Sequence, residues 1–177
     1  MKKQLKFLVC ILVLVLTAPT VVSCTSSQYK TYTLKHNGIS FSFEYPLGYK
    51  KFLSYIQDNP AAPIGVRFAK NNDPVLMVNI AGNLSGKNPD LNAVAMTAGS
   101  HTPQQETERS SITIGGTTGV LLVYVFPDTQ LPSTITREVF FNINGILWSI
   151  STYSSTEKAD EAKLVFEHMM DTFKVLQ

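Results

Sequence analysis

The sequence contains few cysteines and few charged residues. Its two cysteines, Cys10 and Cys24, both lie in the first 24 of 177 residues, so the remainder has no thiol for a disulfide, a nucleophile or a thiolate metal site. Charged residues make up 16% of the chain and form no basic run of the kind that neutralises nucleic acid phosphates. These shortages exclude thiol chemistry downstream of Cys24 and predict that nucleic acid is not a partner.

Long apolar runs are also lacking, with one exception at the N-terminus. There, FLVCILVLVL extends from Phe7 to Leu16 without a charge and follows three lysines, Lys2, Lys3 and Lys6. The run is much shorter than the ~20 apolar residues that a membrane-spanning helix needs. This pattern is typical of an export signal, and a retained membrane anchor is the alternative.

The end of this segment, VVSC (residues 21–24), resembles the bacterial lipobox, in which branched apolar residues and a small residue precede a cysteine. The resemblance implies that cleavage after Ser23 removes residues 1–23 and that the Cys24 thiol carries a diacylglycerol. Two or three acyl chains anchor a protein stably, whereas one chain is marginal. We therefore expect a lipid anchor on the extracytoplasmic face of a bacterial membrane. A chance cysteine near an ordinary cleavage site is the alternative.

Removal of the leader changes the charge balance of the chain. The formal charge of +2 becomes about −1, because 12 basic residues then face 13 acidic ones. Residues 24–28 form a lipidated tether, and the four residues after Cys24 reach at most about 14 Å. Residues 29–177 contain no repeat or Pro/Ser-rich linker, and their number suits one domain. We expect a single domain held close to the lipid headgroups.

Three dipeptides predict tight hairpin turns in this domain. Asn37-Gly38, Gly115-Gly116 and Asn144-Gly145 each separate two segments rich in β-branched and aromatic residues. Asn-Gly and Gly-Gly supply the positive φ angles that two-residue hairpin turns require. In ISFSFEY (residues 39–45) apolar and polar residues alternate, whereas GVLLVYVF (residues 119–126) is apolar on both faces, as in a strand that is covered on each side.

Further elements are predicted between and after the hairpins. GVRFAK and PVLMVNIAG are typical of strands around a turn at residues 71–73, and GYKKFLSYIQDN fits either a strand or a short helix. Residues 88–100 suit a helix that Asn88 caps and Pro89 begins. The most clearly amphipathic helix is C-terminal, with Ser154 and Glu157 as a capping box and an apolar stripe formed by Ala162, Val165, Phe166, Met169 and Phe173. The order predicts an α+β layer architecture, in which an antiparallel sheet is covered on both faces.

Three of these segments resemble the PsbP-like domain family. ISFSFEYPLGYK is similar to its opening Y-G-F-S-x-x-Y-P-x-G-W motif, ITIGGTTGVLLVY to its central hairpin, and ILWSISTYSS with KLVFEHMMDTFKVL to its last strand and closing helix. Tyr49 stands where the family usually has tryptophan. The resemblance implies an antiparallel sheet with helices on both faces and a binding or assembly role without a catalytic site. The lipobox favours the bacterial envelope lipoproteins within the family.

The candidate catalytic and metal-binding groups are scattered. His36, His101 and His168 lack ligand spacing, and we interpret them as surface residues. GNLSGK (residues 82–87) has neither the spacing of a phosphate loop nor that of a nucleophile elbow, so we expect a polar loop there. The sequence therefore predicts no catalytic residue, no cofactor site and no metal site.

Acidic residues are better explained by solvation and capping than by acid/base chemistry. Glu106 and Glu108 could share one face of a strand, and Glu157, Asp160 and Glu161 suit the start of the C-terminal helix. The oxygen-rich turn at residues 71–73 is a possible weak calcium site, although such turns usually bind only water.

One predicted loop, PDTQLPST (residues 127–134), suits partner recognition. It places Asp128 and Leu131 on a connection longer than a tight turn, next to Pro132. The main hypothesis is a noncatalytic lipoprotein that binds another protein or helps a membrane complex assemble. The alternatives are a carrier of a small apolar ligand and, ranked last, an envelope hydrolase.

Overall fold

The computed structural model describes residues 28–36, 38–55, 64–83, 89–99, 105–126 and 133–176. These residues form ten strands, a 3-10 turn at Thr156–Lys158, and two α-helices. The helices are α1 (Leu91–Gly99) and α2 (Ala159–Thr172). The strands are β1 (Tyr29–His36), β2 (Ile39–Pro46), β3 (Lys50–Tyr55), β4 (Gly65–Ala69), β5 (Val75–Asn83), β6 (Gln105–Ile114), β7 (Thr117–Phe126), β8 (Thr134–Ile143), β9 (Ile146–Ser155) and β10 (Lys174–Val175). No helix in the described ranges is long and apolar enough to span a membrane.

Seven strands form one antiparallel sheet in the order β3-β4-β5-β9-β8-β7-β6. The predicted hairpins are confirmed, since Ile114 pairs with Thr117 and Ile143 pairs with Ile146 across two-residue turns. Both turns have the positive φ angles that the sequence predicts, for example 55° at Asn144 and 76° at Gly145. The prediction of a mostly antiparallel sheet is therefore confirmed. Residues 50–55, for which the sequence allowed either a strand or a short helix, form a strand.

A second, three-stranded sheet has the order β1-β2-β10 and was not predicted as a separate layer. The hairpin of β1 and β2 pairs His36 with Ile39 across the predicted turn at residues 37–38, of which Gly38 has a φ of 76°. The two-residue strand β10 pairs with Ser42 and Phe41 on the other side of β2. The C-terminal segment thus closes this small sheet after α2.

The main hydrophobic core lies where α2 and the small sheet pack on the seven-stranded sheet. Phe41 and Phe43 of β2 are 1% exposed, in line with the predicted alternation, and they contact Trp148 and Phe68 of the large sheet at ring centroid distances of 5.3 and 5.6 Å. Helix α2 contributes its predicted apolar stripe, whose members are all buried: Ala162, Val165, Phe166, Met169 and the following Phe173. Burial of these aromatic and aliphatic side chains stabilises the packing of α2 and the small sheet on the large sheet.

A smaller hydrophobic cluster joins α1 to side chains of β7 and β8 that do not belong to the main core. Ala95 is fully buried against Val120, Leu122 and Phe140. The alternate β7 residues Leu121 and Val123 are also partly or fully buried. Strand β7 is therefore apolar and packed on both sides, as its sequence predicts.

The predicted starts of the two helices are wrong in detail. Ser154 is the ninth residue of β9 and is fully buried, so it cannot begin a capping box. Its neighbour Ser155 instead donates its backbone N–H and its hydroxyl to the carboxylate of Asp73, at 3.1 and 2.7 Å. In α1 the cap is Asp90, whose Oδ1 accepts the N–H groups of Asn92 and Ala93; Asn88 lies outside the described residues.

Replacement of Asp73 by alanine is expected to lower the free energy of unfolding by about 1 to 2 kcal/mol, because both bonds to Ser155 are lost at the point where β9 enters α2. Ser155→Ala removes only the hydroxyl bond and should cost less. Urea denaturation of the two variants measures the difference. An equal loss in both would show that the backbone N–H bond contributes nothing.

The strand registers define two ends of the molecule. The hairpin end carries the turns at residues 37–38, 115–116 and 144–145. The Ser155 end carries the opposite strand ends, including the paired residues Ala69 and Val75 and the paired residues Phe126 and Thr134. Helix α2 starts at the Ser155 end, and β2 runs antiparallel to it, so Pro46 and its partner Tyr29 lie at that end as well. The described chain therefore begins at the Ser155 end, opposite the hairpin turns.

Candidate functional site

An open groove of about 360 Å³ lies at the Ser155 end, between the start of β1, the β2–β3 connection, the end of β4 and the first turns of α2. Its volume falls in the range of small-molecule sites, roughly 300 to 1,000 Å³. Four separate segments of the chain supply its lining: Gln28, Tyr29, Pro46, Leu47, Tyr49, Lys70, Glu161, Leu164 and Val165.

The polar residues of the groove are paired with one another or with a neighbouring side chain. The Glu161 carboxylate accepts a long hydrogen bond from the Tyr49 hydroxyl, at 3.5 Å, and lies 3.7 Å from the ammonium groups of both Lys70 and Lys158. Burial, together with the neighbouring Glu161 carboxylate, raises the pKa of Tyr49 well above its usual range. Tyr49 therefore remains a neutral hydrogen-bond donor at physiological pH, and the groove presents charges of both signs.

The rim of the groove is apolar. Leu47 is 47% exposed and Leu164 is 66% exposed, although both are large hydrophobic side chains. Sequence reasoning missed Leu164. Its exposure could have been inferred, because it is an apolar residue that lies outside the predicted buried stripe of α2. Leu47 follows Pro46 in the segment that resembles the PsbP-like opening motif, and nothing in that pattern indicates its exposure.

A histidine beside the groove holds the start of β1 on α2. The Nε2 atom of His168 lies 2.9 Å from a carboxylate oxygen of Glu44, and the imidazole stacks on the Tyr29 ring with a centroid distance of 3.6 Å. Thr172 reinforces the contact, because its hydroxyl accepts the backbone N–H of Glu44. The prediction that His168 is an isolated surface residue is wrong: the side chain is 29% exposed and joins three elements.

The other sequence candidates do not converge. His36 is half-buried at the hairpin end of β1. Glu106 accepts two hydrogen bonds from Arg109, which holds the pKa of this carboxyl below its usual range, and a bulge between Glu106 and Glu108 breaks their predicted shared face. In the turn at residues 71–73, both carboxylate oxygens of Asp73 are used by Ser155. The described residues contain no group of three or more His, Cys, Asp or Glu side chains placed to hold a metal ion.

Several predicted positions lie outside the described residues. These are the lipidation site Cys24, the candidate partner loop residues Asp128 and Leu131, and His101. Of the segment at residues 82–87, the first two residues continue β5 rather than form a loop, and the rest lies outside the described ranges.

A half-buried carboxyl away from the groove was not identified from the sequence. Glu138 of β8 accepts a hydrogen bond from the Tyr124 hydroxyl at 3.2 Å. Burial raises the pKa of Glu138, and hydrogen bonds from Ser149 and Tyr124 oppose this effect in part. The sequence around Glu138 does not indicate its position, because Val139, Phe140 and Phe141 are apolar on both faces of β8 and the hydroxyl partners lie on neighbouring strands.

Comparisons with known proteins agree on the fold. No protein-family model and no curated protein matches the sequence. Among solved structures, cyanobacterial PsbP from Synechocystis sp. PCC 6803 matches with a TM-score of 0.58 and 17% identity, covering 84% of this chain and 93% of its own. A protein from Bacteroides thetaiotaomicron VPI-5482 matches with a TM-score of 0.57 and 14% identity over 85% of this chain, which spans 49% of that protein's length. The similarity to cyanobacterial PsbP, together with the strand order and closing helix, shows that this chain has the PsbP-like fold.

Proposed function

We propose that the protein is a noncatalytic lipoprotein, anchored through Cys24 on the extracytoplasmic face of a bacterial membrane, that binds another protein or assists assembly of a membrane complex. The observation that carries the proposal is the VVSC segment at residues 21–24, placed four residues before the first described residue. The PsbP-like fold, which the chain shares with the solved structure of cyanobacterial PsbP, supports it, because the resemblance to that family implies a binding or assembly role.

In this proposal, residues 29–177 form one domain with helices on both faces of the large sheet. Phe140 packs in the cluster with α1, whereas its neighbours Val139 and Phe141 pack in the cluster with α2. Successive side chains of a strand point to opposite faces of a sheet, which supports opposite positions for the two helices. The result is a rigid scaffold on which the connecting segments are held.

The partner-binding segment in the proposal is the connection between β7 and β8, with Asp128 and Leu131. Phe126 and Thr134, which flank this connection, are paired at the Ser155 end, where the described chain also begins. A partner that meets this segment would therefore lie near the membrane to which Cys24 is attached. This placement favours a membrane-embedded partner over a freely diffusing one.

The groove supports the alternative of a small-ligand carrier less well. Its lining includes Lys70 and Glu161, whose charges are costly to bury beneath an apolar ligand. His168 likewise gives little support to a hydrolase, since its Nε2 atom is 2.9 Å from Glu44 and its ring face is covered by Tyr29.

Replacement of Cys24 by serine tests the anchor and supplies the control for partner capture. We expect the natural protein to fractionate with membranes and the Cys24→Ser variant to lose this property, because a serine hydroxyl cannot form the thioether to diacylglycerol. Mass spectrometry of the N-terminal peptide should show an acylated Cys24 and no residues from 1–23.

Crosslinking in intact cells then tests the binding role. A specific membrane protein should be captured with the natural chain, and its yield should fall sharply with Leu131→Ser, which keeps the anchor. Equal capture by the natural chain and by Cys24→Ser would contradict the proposal that anchoring brings the domain to its partner. An unmodified Cys24 with residues 1–23 still attached would contradict the localisation itself.

A further inference from the structure

The Ser155 end of the domain exposes large hydrophobic side chains to solvent. Among the described residues, five large hydrophobic side chains are well exposed, and four of them lie at this end or within three residues of its strand ends: Leu47, Phe52, Tyr153 and Leu164. Of these five, Met96 on α1 is the one that lies elsewhere. Of the four, Leu47 and Leu164 line the same groove, whereas Tyr153 lies on the opposite face of the large sheet, because Trp148 and Ile150 of the same strand pack on the α2 side. An exposed apolar rim of this kind is suited to contact with another apolar or interfacial phase.

The position of the chain start indicates which phase this is. Gln28 and Tyr29 line the groove, and Gln28 is four residues from Cys24, so the groove lies within about 14 Å of the Cys24 backbone whatever path the intervening residues take. The ten-residue strands place the hairpin end about 33 Å further away. If the acyl chains of Cys24 lie in a bilayer, the short tether holds the rim of the groove close to the lipid headgroups.

The charges around the groove favour a zwitterionic surface over a strongly anionic one. Lys70 and Lys158 share the single Glu161 carboxylate, each at 3.7 Å, and Glu157 and Asp160 at the start of the helical segment supply further negative charge. Lys163 is 3.9 Å from Glu167. A polybasic patch of the kind that selects anionic lipids would leave its lysines unpaired. Paired charges of both signs match a headgroup that carries a phosphate and an ammonium group.

We propose that the Ser155 end of the domain rests on zwitterionic phospholipid headgroups, with Leu47 and Leu164 inserted among them, so that the hairpin end points away from the membrane. This inference rests on the proposed function, since it requires the lipid anchor. The tether alone fixes only the distance to the bilayer, and the apolar rim fixes the tilt of the domain. The paired residues Phe126 and Thr134, which flank the proposed partner segment, then lie at the end of the domain that faces the membrane.

Fluorescence quenching in reconstituted vesicles tests the orientation. The lipidated protein, with a bimane label at Leu164→Cys or at Thr118→Cys, is placed in vesicles of phosphatidylcholine and phosphatidylethanolamine that contain a nitroxide-headgroup lipid. Both positions are exposed, Thr118 beside the turn at residues 115–116, so neither label disturbs the core. An introduced cysteine is the single free thiol once Cys24 is alkylated and Cys10 is removed.

We expect quenching to be several-fold stronger at position 164 than at position 118. Adding Leu47→Ser should reduce quenching at position 164, because the rim then loses an inserted side chain. High salt should leave the difference unchanged, since the contact is apolar rather than dependent on net charge. Equal quenching at the two positions, stronger quenching at position 118, or loss of the difference in high salt would overturn the proposal.

Vesicle flotation separates failure of this inference from failure of the proposed function. A chain that does not float with the vesicles has no lipid anchor, which overturns both. A chain that floats but shows equal quenching keeps the anchor and overturns the orientation alone. A third outcome is that the label at position 164 is unquenched in lipid vesicles but its emission shifts to shorter wavelength in native membranes. This result would assign the groove to a protein partner and would also overturn the lipid contact.

Discussion

Replacing Trp148 with alanine is expected to lower the free energy of unfolding by about 3 to 5 kcal/mol, the usual cost of truncating a fully buried large aromatic side chain. Trp148 is 0% exposed and makes edge-to-face contacts with Phe41 and Phe173, each at a centroid distance of 5.3 Å. Because these rings come from β9, from β2 and from the segment after α2, the substitution leaves a cavity where both sheets meet. Denaturation should be followed by far-ultraviolet circular dichroism, since Trp148 is the one tryptophan.

Two controls make this prediction specific. Trp148→Phe should cost much less than alanine, because it keeps a ring and removes an indole nitrogen that is buried with no hydrogen-bond partner in the described part of the chain. Tyr153→Ala, on the same strand but 42% exposed, should change stability by less than about 0.5 kcal/mol. Equal losses for phenylalanine and alanine at position 148 would contradict the central role of ring packing.

Local chemistry explains why the hairpins could be predicted from the sequence. Positive φ angles at Gly115, Gly116, Asn144 and Gly145 are properties of those residues and need no distant partner. The apolar stripe of α2 could be predicted for a similar reason, because helical spacing brings residues three and four apart onto one face. The PsbP-like resemblance, which combined these segments in order, is confirmed at the level of the fold.

Contacts between distant segments explain what the sequence did not reveal. Ser155 begins the helical segment through a bond to Asp73, which is 82 residues away, so local spacing suggested Ser154 instead. Strand β10 has only two residues, and it is a strand because it pairs with β2. This pairing adds a third strand to the small sheet. A short segment of this kind has no periodicity of its own from which a strand could be predicted.

The groove belongs to the same class of long-range features. Leu47 and Leu164 are 117 positions apart and are brought together by the packing of α2 against β2. His168 shows the same limit, since its contacts with Glu44 and Tyr29 depend on that packing. The tether and the envelope location are predictions from one segment of the sequence, whereas only the fold places Gln28, the first described residue, and the exposed apolar rim at one end.

Stability is also expected to depend on pH through Glu138. Burial raises the pKa of this carboxyl above its ordinary value of 4.5, so in the window above pH 4.5 the folded protein keeps a proton that the unfolded chain has lost. The contribution of protonated Glu138 to stability is therefore complete below pH 4.5 and is lost as the pH rises through the folded pKa. Within this window the slope approaches about 1.4 kcal/mol per pH unit at most.

Glu138→Gln isolates this contribution, because glutamine keeps an oxygen that can accept the Tyr124 hydrogen bond but does not ionise in this range. The free energy of unfolding of the natural protein should fall relative to the variant as the pH rises above 4.5, and the two curves should become parallel above the folded pKa. Urea denaturation at a series of pH values measures both curves. Parallel curves throughout would show that Glu138 is solvated in the folded state.

Glu106→Gln is the matched control, and its sign is opposite. The hydrogen bonds from Arg109 lower the pKa of exposed Glu106, so its contribution is present above the ordinary value of 4.5 and is lost as the pH falls through the lower folded pKa. Above pH 5 this variant should therefore run parallel to the natural protein while Glu138→Gln diverges from it. The two carboxyls lie on strands of one sheet, and their opposite behaviour follows from burial in one case and from a paired guanidinium in the other.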